Sequence, residues 1–269
     1  MTARPLMEAE NLNRTFQRGG WLSRRAAVVA VRDATFHVAR GETLAIVGES
    51  GSGKSTIARM LVGLDRPTGG AIRLEGEDLS TLTARHRRML GRRIQYVFQD
   101  PVASLNPRHR IGEILGGTLM RLAGIADRAA RRARMEELLH HVGLAAETLD
   151  RYPHEFSGGQ AQRIAIARAL AAEARIIVLD EPVSALDVSV QAQVLLLLDR
   201  LKAEFDLTYV FISHDLAVVE AISDRVMVMQ GGEIVESGPA ESLFAAPQAA
   251  YTRSLLASAP RLDRAFETL

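Results

Sequence analysis

The chain has 269 residues, 47% hydrophobic and 24% charged, an ordinary globular composition with length for one to two domains at roughly 150 residues each. Its 33 Lys+Arg against 32 Asp+Glu leave a formal charge of +1, which weighs against a dedicated nucleic-acid binder with its strong basic excess. With no cysteine, disulfides, thiolate zinc sites, iron–sulfur clusters and a cysteine nucleophile are excluded. The opening Met1–Glu10 lacks the apolar core of a secretory signal, and the longest uncharged apolar stretch, Val188–Leu198, is shorter than the ~20 residues a bilayer requires. A cytoplasmic chain is expected.

Taken in chain order, Val28–Val38 reads as a strand, with Ala34, Phe36 and Val38 alternating against polar neighbours. Arg40-Gly41-Glu42 marks a turn, and Thr43–Val47 is an apolar run suited to a buried central strand. Glycines follow, and then Lys54–Leu64 has helical spacing; Ile94–Phe98 reads as another strand. Ile111 to Gly143 carries apolar positions at 3.6 spacing and predicts helix, and the basic runs Arg85–Arg88 and Arg128–Arg134 read first as solvated faces. Beyond it come a helix (Gln160–Ala172), a strand (Ile176–Leu179), a helix (Val188–Phe205), a strand (Tyr209–Ile212) and a short helix (Leu216–Ile222). Val226–Met229 and Glu233–Glu236 form a hairpin closed on Gly231-Gly232, and the tail from Pro239 to Leu269 is weaker in pattern. Alternating strands and helices predict an α/β fold with a largely parallel sheet and a helical insertion.

Three segments carry chemistry. Gly48-Glu49-Ser50-Gly51-Ser52-Gly53-Lys54-Ser55 fits the phosphate-loop pattern, in the strand–loop–helix order that pattern needs. Its glycines let consecutive N–H groups turn inward as an anion nest at a helix N-terminus; Lys54 is suited to the β- and γ-phosphates and the Ser55 hydroxyl to Mg²⁺. Asp180, ending the apolar Ile176–Leu179, is placed to hold Mg²⁺ through water, and Glu181 to polarise an attacking water. Finally, Ser157-Gly158-Gly159-Gln160 stands at the N-terminus of a helix, a second anion cradle. Two cradles for one nucleotide suggest that the second faces the nucleotide of another copy or a paralogue.

With these residues assembled, the chain resembles the ATP-binding subunits of ABC transporters over nearly its whole length. Ser157–Gln160 looks like that family's signature motif, Gln99 its Q-loop, Ser184-Ala-Leu-Asp187 its D-loop and His214 its switch histidine. The resemblance implies a P-loop NTPase, a RecA-like core with an antiparallel β subdomain, plus an α-helical signature subdomain. It also implies a head-to-tail dimer with two ATPs between subunits. Each ATP would contact Gly48–Thr56, Gln99, Asp180, Glu181 and His214 of one subunit and Ser157–Gln160 of the other. Lys54, Gln99, Glu181 and His214 would be catalytic, and Ser55, Gln99 and Asp180 would serve Mg²⁺. Phe16 best matches the adenine-stacking aromatic, with Trp21 as rival.

Val97–Arg108, Glu181–Gln193 and the tail Gly232–Pro239 through Phe244, Pro247, Tyr251-Thr252 and Leu255–Pro260 are similar to the peptide/nickel importer branch. That branch implies an ATPase on the cytoplasmic face of a bacterial inner membrane, a peripheral protein driving uptake of di- or oligopeptides, or alternatively of nickel or another solute. Its partners would be a second ATP-binding subunit, two transmembrane permease subunits and, indirectly, a periplasmic solute-binding protein, with no nucleic acid. Residues 1–235 would form the nucleotide-binding domain, with a helical subdomain at about 101–170, and 236–269 a C-terminal extension of the oligopeptide-importer type. A soluble ABC ATPase without a transport role, a non-hydrolysing regulatory module and an exporter subunit are the rival readings.

Overall fold

The computed structural model describes residues 5–18, 26–79 and 89–258. Trp21, the Arg85–Arg88 run and the tail beyond Ser258 lie outside them. The chain divides into two compact units: Met1–Met60 with Asp65–Ser80 and Phe211–Leu269, and Leu61–Leu64 with Thr81–Val210.

In the first unit, β1 (Met7–Arg18), β2 (Ala26–Val38), β4 (Gly69–Leu74) and β5 (Glu77–Asp78) form an antiparallel sheet in the order β2-β1-β4-β5. The sequence reading places no strand before Val28, and β1 shows why. Its register against β2 shifts between Ala9 and Leu12 and twice more by Thr15, and Asn11 is left-handed at φ 47°, so the buried Met7, Ala9 and Leu12 break a simple alternation. The predicted strand Thr43–Val47 is β3, buried throughout. It runs parallel to β9 (Arg225–Gln230), with Leu44 opposite Arg225 and Val47 opposite Val228. β9 turns at Gly231–Gly232 into β10 (Glu233–Pro239), the hairpin the sequence predicts. Helix α1 (Lys54–Leu61) stops short of the expected Leu64, before Gly63 turns left-handed at φ 72°.

In the second unit, β6 (Ile94–Val97) and β7 (Ile176–Asp180) pair in parallel, Ile94 opposite Ile176 and Val97 opposite Leu179. β8 (Thr208–Ile212) starts here and carries the chain into the first unit. Helix α2 (Pro101–Ser104) follows β6, and the long helical stretch expected from Ile111 is broken. Helix α3 (Ile111–Thr118) widens into a π turn and ends at left-handed Gly124; α4 (Arg128–His141) restarts with Asp127 accepting from the Ala130 N–H at 2.7 Å. The basic face of α4 pairs along the helix, Arg132 with Glu136 and Arg134 with Glu137. Helices α5 (Gly158–Leu170) and α6 (Val188–Phe205) complete the unit.

Back in the first unit, α7 (Leu216–Ile222) is capped by Asp215. The weakly patterned tail forms two helices, α8 (Ala240–Ala245) and α9 (Ala250–Ser258). Its sparse apolar residues are nonetheless well used: Phe244, Tyr251, Leu255 and Leu256 pack on a core that includes Ala45 and Val47 of β3. Among the described residues no helix is long and apolar enough to cross a membrane.

Candidate active site

The first unit carries the phosphate loop. Gly48 has φ 147° and Gly53 φ 106°, and a Cβ at either would fall 2.2 Å from the Met229 carbonyl oxygen or 2.4 Å from that of Ala30. Only glycine fits between these backbones. The loop therefore sits tight against β9 and β2, and the hairpin turn ties it down: the Gly232 N–H donates to the Ser52 carbonyl at 3.0 Å, and the Arg32 N–H donates to the Gly232 carbonyl at 2.8 Å. Lys54 is buried at 5% exposure, and its Nζ donates to the carbonyls of Gly48 at 2.7 Å and Glu49 at 2.8 Å. Glu49, Ser50, Gly51 and Ser55 are exposed on the outer side, Thr56 is half-buried, and the buried Ser52 hydroxyl has no hydrogen-bond partner.

A loop of this build suits a polyphosphate: a cation coiled inside it, a hydroxyl unspent and a helix N-terminus at its end. His214, exposed, follows β8 beside the buried Ser213, whose hydroxyl accepts from the Asp215 N–H at 3.0 Å. Phe16 is 37% exposed on β1 opposite Val28, two residues from the Ala30 carbonyl that abuts Gly53, and the Arg14 guanidinium lies 4.3 Å from its ring centroid.

The second unit carries the carboxylates. Asp180 ends β7, and its Oδ2 accepts from the Tyr96 hydroxyl at 2.5 Å. Glu181 stands next to it in a left-handed conformation, φ 48°, a strained geometry for a glutamate of the kind that clusters at functional sites. Gln99, exposed just past β6, donates through Nε2 to Glu181 Oε2 at 2.8 Å. The predicted Q-loop amide and the predicted base are thus brought together across adjacent parallel strands. The Ser184 hydroxyl donates to the Glu181 carbonyl at 3.1 Å, and Asp187 caps α6 by accepting from the Val190 N–H at 3.0 Å. That hydrogen bond, with a second from Ser189, holds the Asp187 carboxyl below its ordinary range.

The signature segment opens α5. Ser157, Gly158 and Gln160 are exposed, and Ser157 and Gln160 form a reciprocal capping box. Gly159 is buried against α6, where a Cβ would lie 2.4 Å from Val190 Cγ1. Farther along α5, the half-buried Arg168 donates to the Ser104 carbonyl of α2 at 2.8 Å, joining the signature helix to the segment after Gln99; desolvation pushes its pKa down.

Two polar side chains reach these segments by contacts the sequence reading does not foresee, one of them Tyr251, which it names only within the importer-type tail. Tyr96 carries a partial signal, since a tyrosine within a buried strand needs a partner for its hydroxyl. Tyr251, whose hydroxyl accepts from the Glu49 N–H at 3.2 Å, carries none, being 202 positions away. Among the described residues no cluster of three or more His, Cys, Asp or Glu forms a metal site of its own. The Ser55 hydroxyl in the first unit and the Asp180 carboxylate in the second are each a hard oxygen donor of the kind Mg²⁺ takes.

Known proteins resemble the chain over most of its length. The family model described as ABC transporter matches residues 31–184. The dipeptide transport ATP-binding protein DppF of Escherichia coli is 46% identical over 260 residues, spanning 96% of this chain and 78% of that protein. A Brucella ovis protein, provisionally named as a peptide import ATP-binding protein, is 51% identical over 98% of this chain and 81% of its own length. Among solved structures, the ATP-binding cassette MJ0796, dimeric and bound to ADP and Pi, superposes with a TM-score of 0.77 at 29% identity, covering 87% of this chain and 98% of that one. The chain belongs to the ABC transporter family.

Proposed function

We propose that the chain is the ATP-hydrolysing subunit of an ABC importer that takes up di- or oligopeptides. The observation that carries the cargo is the alignment, over 96–98% of the chain, with relatives named for peptide import and dipeptide transport. Residues 1–235 act as the nucleotide-binding domain, with a helical subdomain at about 101–170, and 236–269 as its C-terminal extension. The protein works peripherally, on the cytoplasmic face of a bacterial inner membrane, with two permease subunits and a second ATP-binding subunit, itself or a paralogue, in a head-to-tail dimer. The dimeric MJ0796 cassette supports that arrangement.

Lys54 and the loop Gly48–Thr56 bind the β- and γ-phosphates, and Phe16 stacks on adenine. Ser55, Gln99 and Asp180 would hold Mg²⁺, which when bound neutralises charge on the phosphates. Glu181, oriented by Gln99, positions and polarises the attacking water, and His214 contacts the γ-phosphate. Ser157–Gln160 faces the ATP of the opposite subunit, with the Ser157–Gln160 cap closed on itself and Gly158 exposed. Lys54 stabilises the charge that develops in line between water and leaving oxygen.

The cargo is tested by reconstituting the chain with its permease subunits and binding protein in liposomes. Dipeptide-loaded binding protein is expected to stimulate phosphate release severalfold over unloaded protein. Stimulation by nickel and not by peptide would overturn the peptide assignment and leave the ATPase standing.

A further inference from the structure

The C-terminal segment is docked by three separate devices, and the last of them reaches the phosphate loop. The Glu236 carboxylate on β10 accepts from the N–H groups of Gln248 at 2.8 Å and Ala249 at 3.0 Å, so a distant side chain ties down the two residues that lead into α9. Burial pushes this carboxyl upward, but the hydrogen bonds it accepts and the nearby Arg253 cation outweigh that, holding it below the ordinary range. Leu255 and Leu256 then lay α9 on the core beneath β3, whose Val47 directly precedes Gly48. Tyr251, at the second position of α9, packs its ring on the same core and extends its hydroxyl to the Glu49 N–H.

That N–H belongs to the Gly48–Glu49 peptide, and the carbonyl of the same peptide accepts from Lys54 Nζ. One planar unit is thus gripped at both ends, by the ammonium at 2.7 Å and by the phenol at 3.2 Å. A peptide plane turns as a rigid body. Whatever fixes its N–H also fixes the carbonyl that seats Lys54, and Gly48, with no side chain, supplies no resistance of its own.

We propose that Tyr251 is a positioning residue for nucleotide binding: from the C-terminal extension, it holds the Gly48–Glu49 peptide in the orientation that seats Lys54. The proposal rests on the reading of Gly48–Thr56 as the loop that takes the nucleotide's phosphates. It gives the C-terminal segment a role in nucleotide affinity beyond packing.

The test uses the full chain with Tyr251→Phe, which keeps the ring and removes only the hydroxyl. Three quantities are compared with wild type: the dissociation constant for ATP with Mg²⁺, hydrogen exchange at the Glu49 amide, and the thermal midpoint without nucleotide. One net hydrogen bond corresponds to a loss of about fivefold in affinity. The expected result is that loss together with faster exchange at Glu49 and an unchanged midpoint. Unchanged affinity in Tyr251→Phe overturns the proposal. So does an equal affinity loss in Leu255→Ala, which loosens α9 and leaves the hydroxyl in place, because the effect would then follow packing alone. Lys54→Ala separates the two levels: if it abolishes binding while Tyr251→Phe leaves the affinity unchanged, only the role of Tyr251 falls; if Lys54→Ala too binds ATP normally, the phosphate-loop reading itself fails.

Discussion

The phosphate loop and the signature loop are both glycine-rich and both open onto a helix, yet they are built in opposite ways. The phosphate loop is closed around its own cation: Lys54 is buried in it, and Gly232 and Tyr251 pin it from distant parts of the chain. The signature loop is held from behind, where Gly159 abuts Val190, and its Ser157 and Gln160 bond to each other while staying exposed. A loop that binds its ligand within one subunit profits from a preorganised charge. A loop that meets a ligand carried by another subunit needs a rigid back and a clear front. The two constructions fit those two tasks.

The contrast breaks most visibly at Lys54. Lys54→Ala removes the charge about which the loop is folded, and ATP affinity is expected to fall by about 100-fold or more, as for the loss of two charge-assisted hydrogen bonds. Equilibrium binding of a fluorescent nucleotide checks it. On the signature side, Gly159→Ala forces a methyl into Val190 and is expected to cost about 1–3 kcal/mol in denaturant unfolding. Adding Val190→Ala should recover most of that loss, which would locate the strain at this contact. Ser157→Ala removes one helix cap and should cost about 1 kcal/mol in the same assay, and in the proposed head-to-tail dimer intrinsic ATP affinity should stay unchanged.

The smallest effect belongs to the brace behind the phosphate loop. Glu236 has its carboxyl pKa lowered by folding, so its contribution is present above the ordinary carboxylate value of 4.5 and fades as the pH falls below it. Glu236→Gln should therefore flatten the acid limb of thermal midpoint against pH and leave the neutral limb parallel to wild type.

How much of this could be read from the sequence depends on whether the interaction is local. Thr43–Val47 is an unbroken buried run followed at once by Gly48–Ser55, so strand, loop and helix are readable in one short window. Gln99 and Glu181 are 82 positions apart, and only a family pattern joins them before the parallel pairing of β6 and β7 does so physically. β1 escapes because its register shifts scramble the alternation. The helical tail escapes because its few apolar residues gain meaning only from the core of β3, β9 and α7 on which they land. Phe16 is readable as an aromatic in the right place, but nothing in the sequence announces that Arg14 stands over its ring.

The central claim, that this chain hydrolyses ATP with Glu181 acting on the water, is tested most directly by phosphate release from the assembled complex. Wild type and Glu181→Gln are compared, with ATP binding measured in parallel. Loss of a positioned general base corresponds to about a 100-fold or greater drop in turnover. The account predicts that drop with ATP affinity retained; phosphate release at the wild-type rate from Glu181→Gln would contradict it.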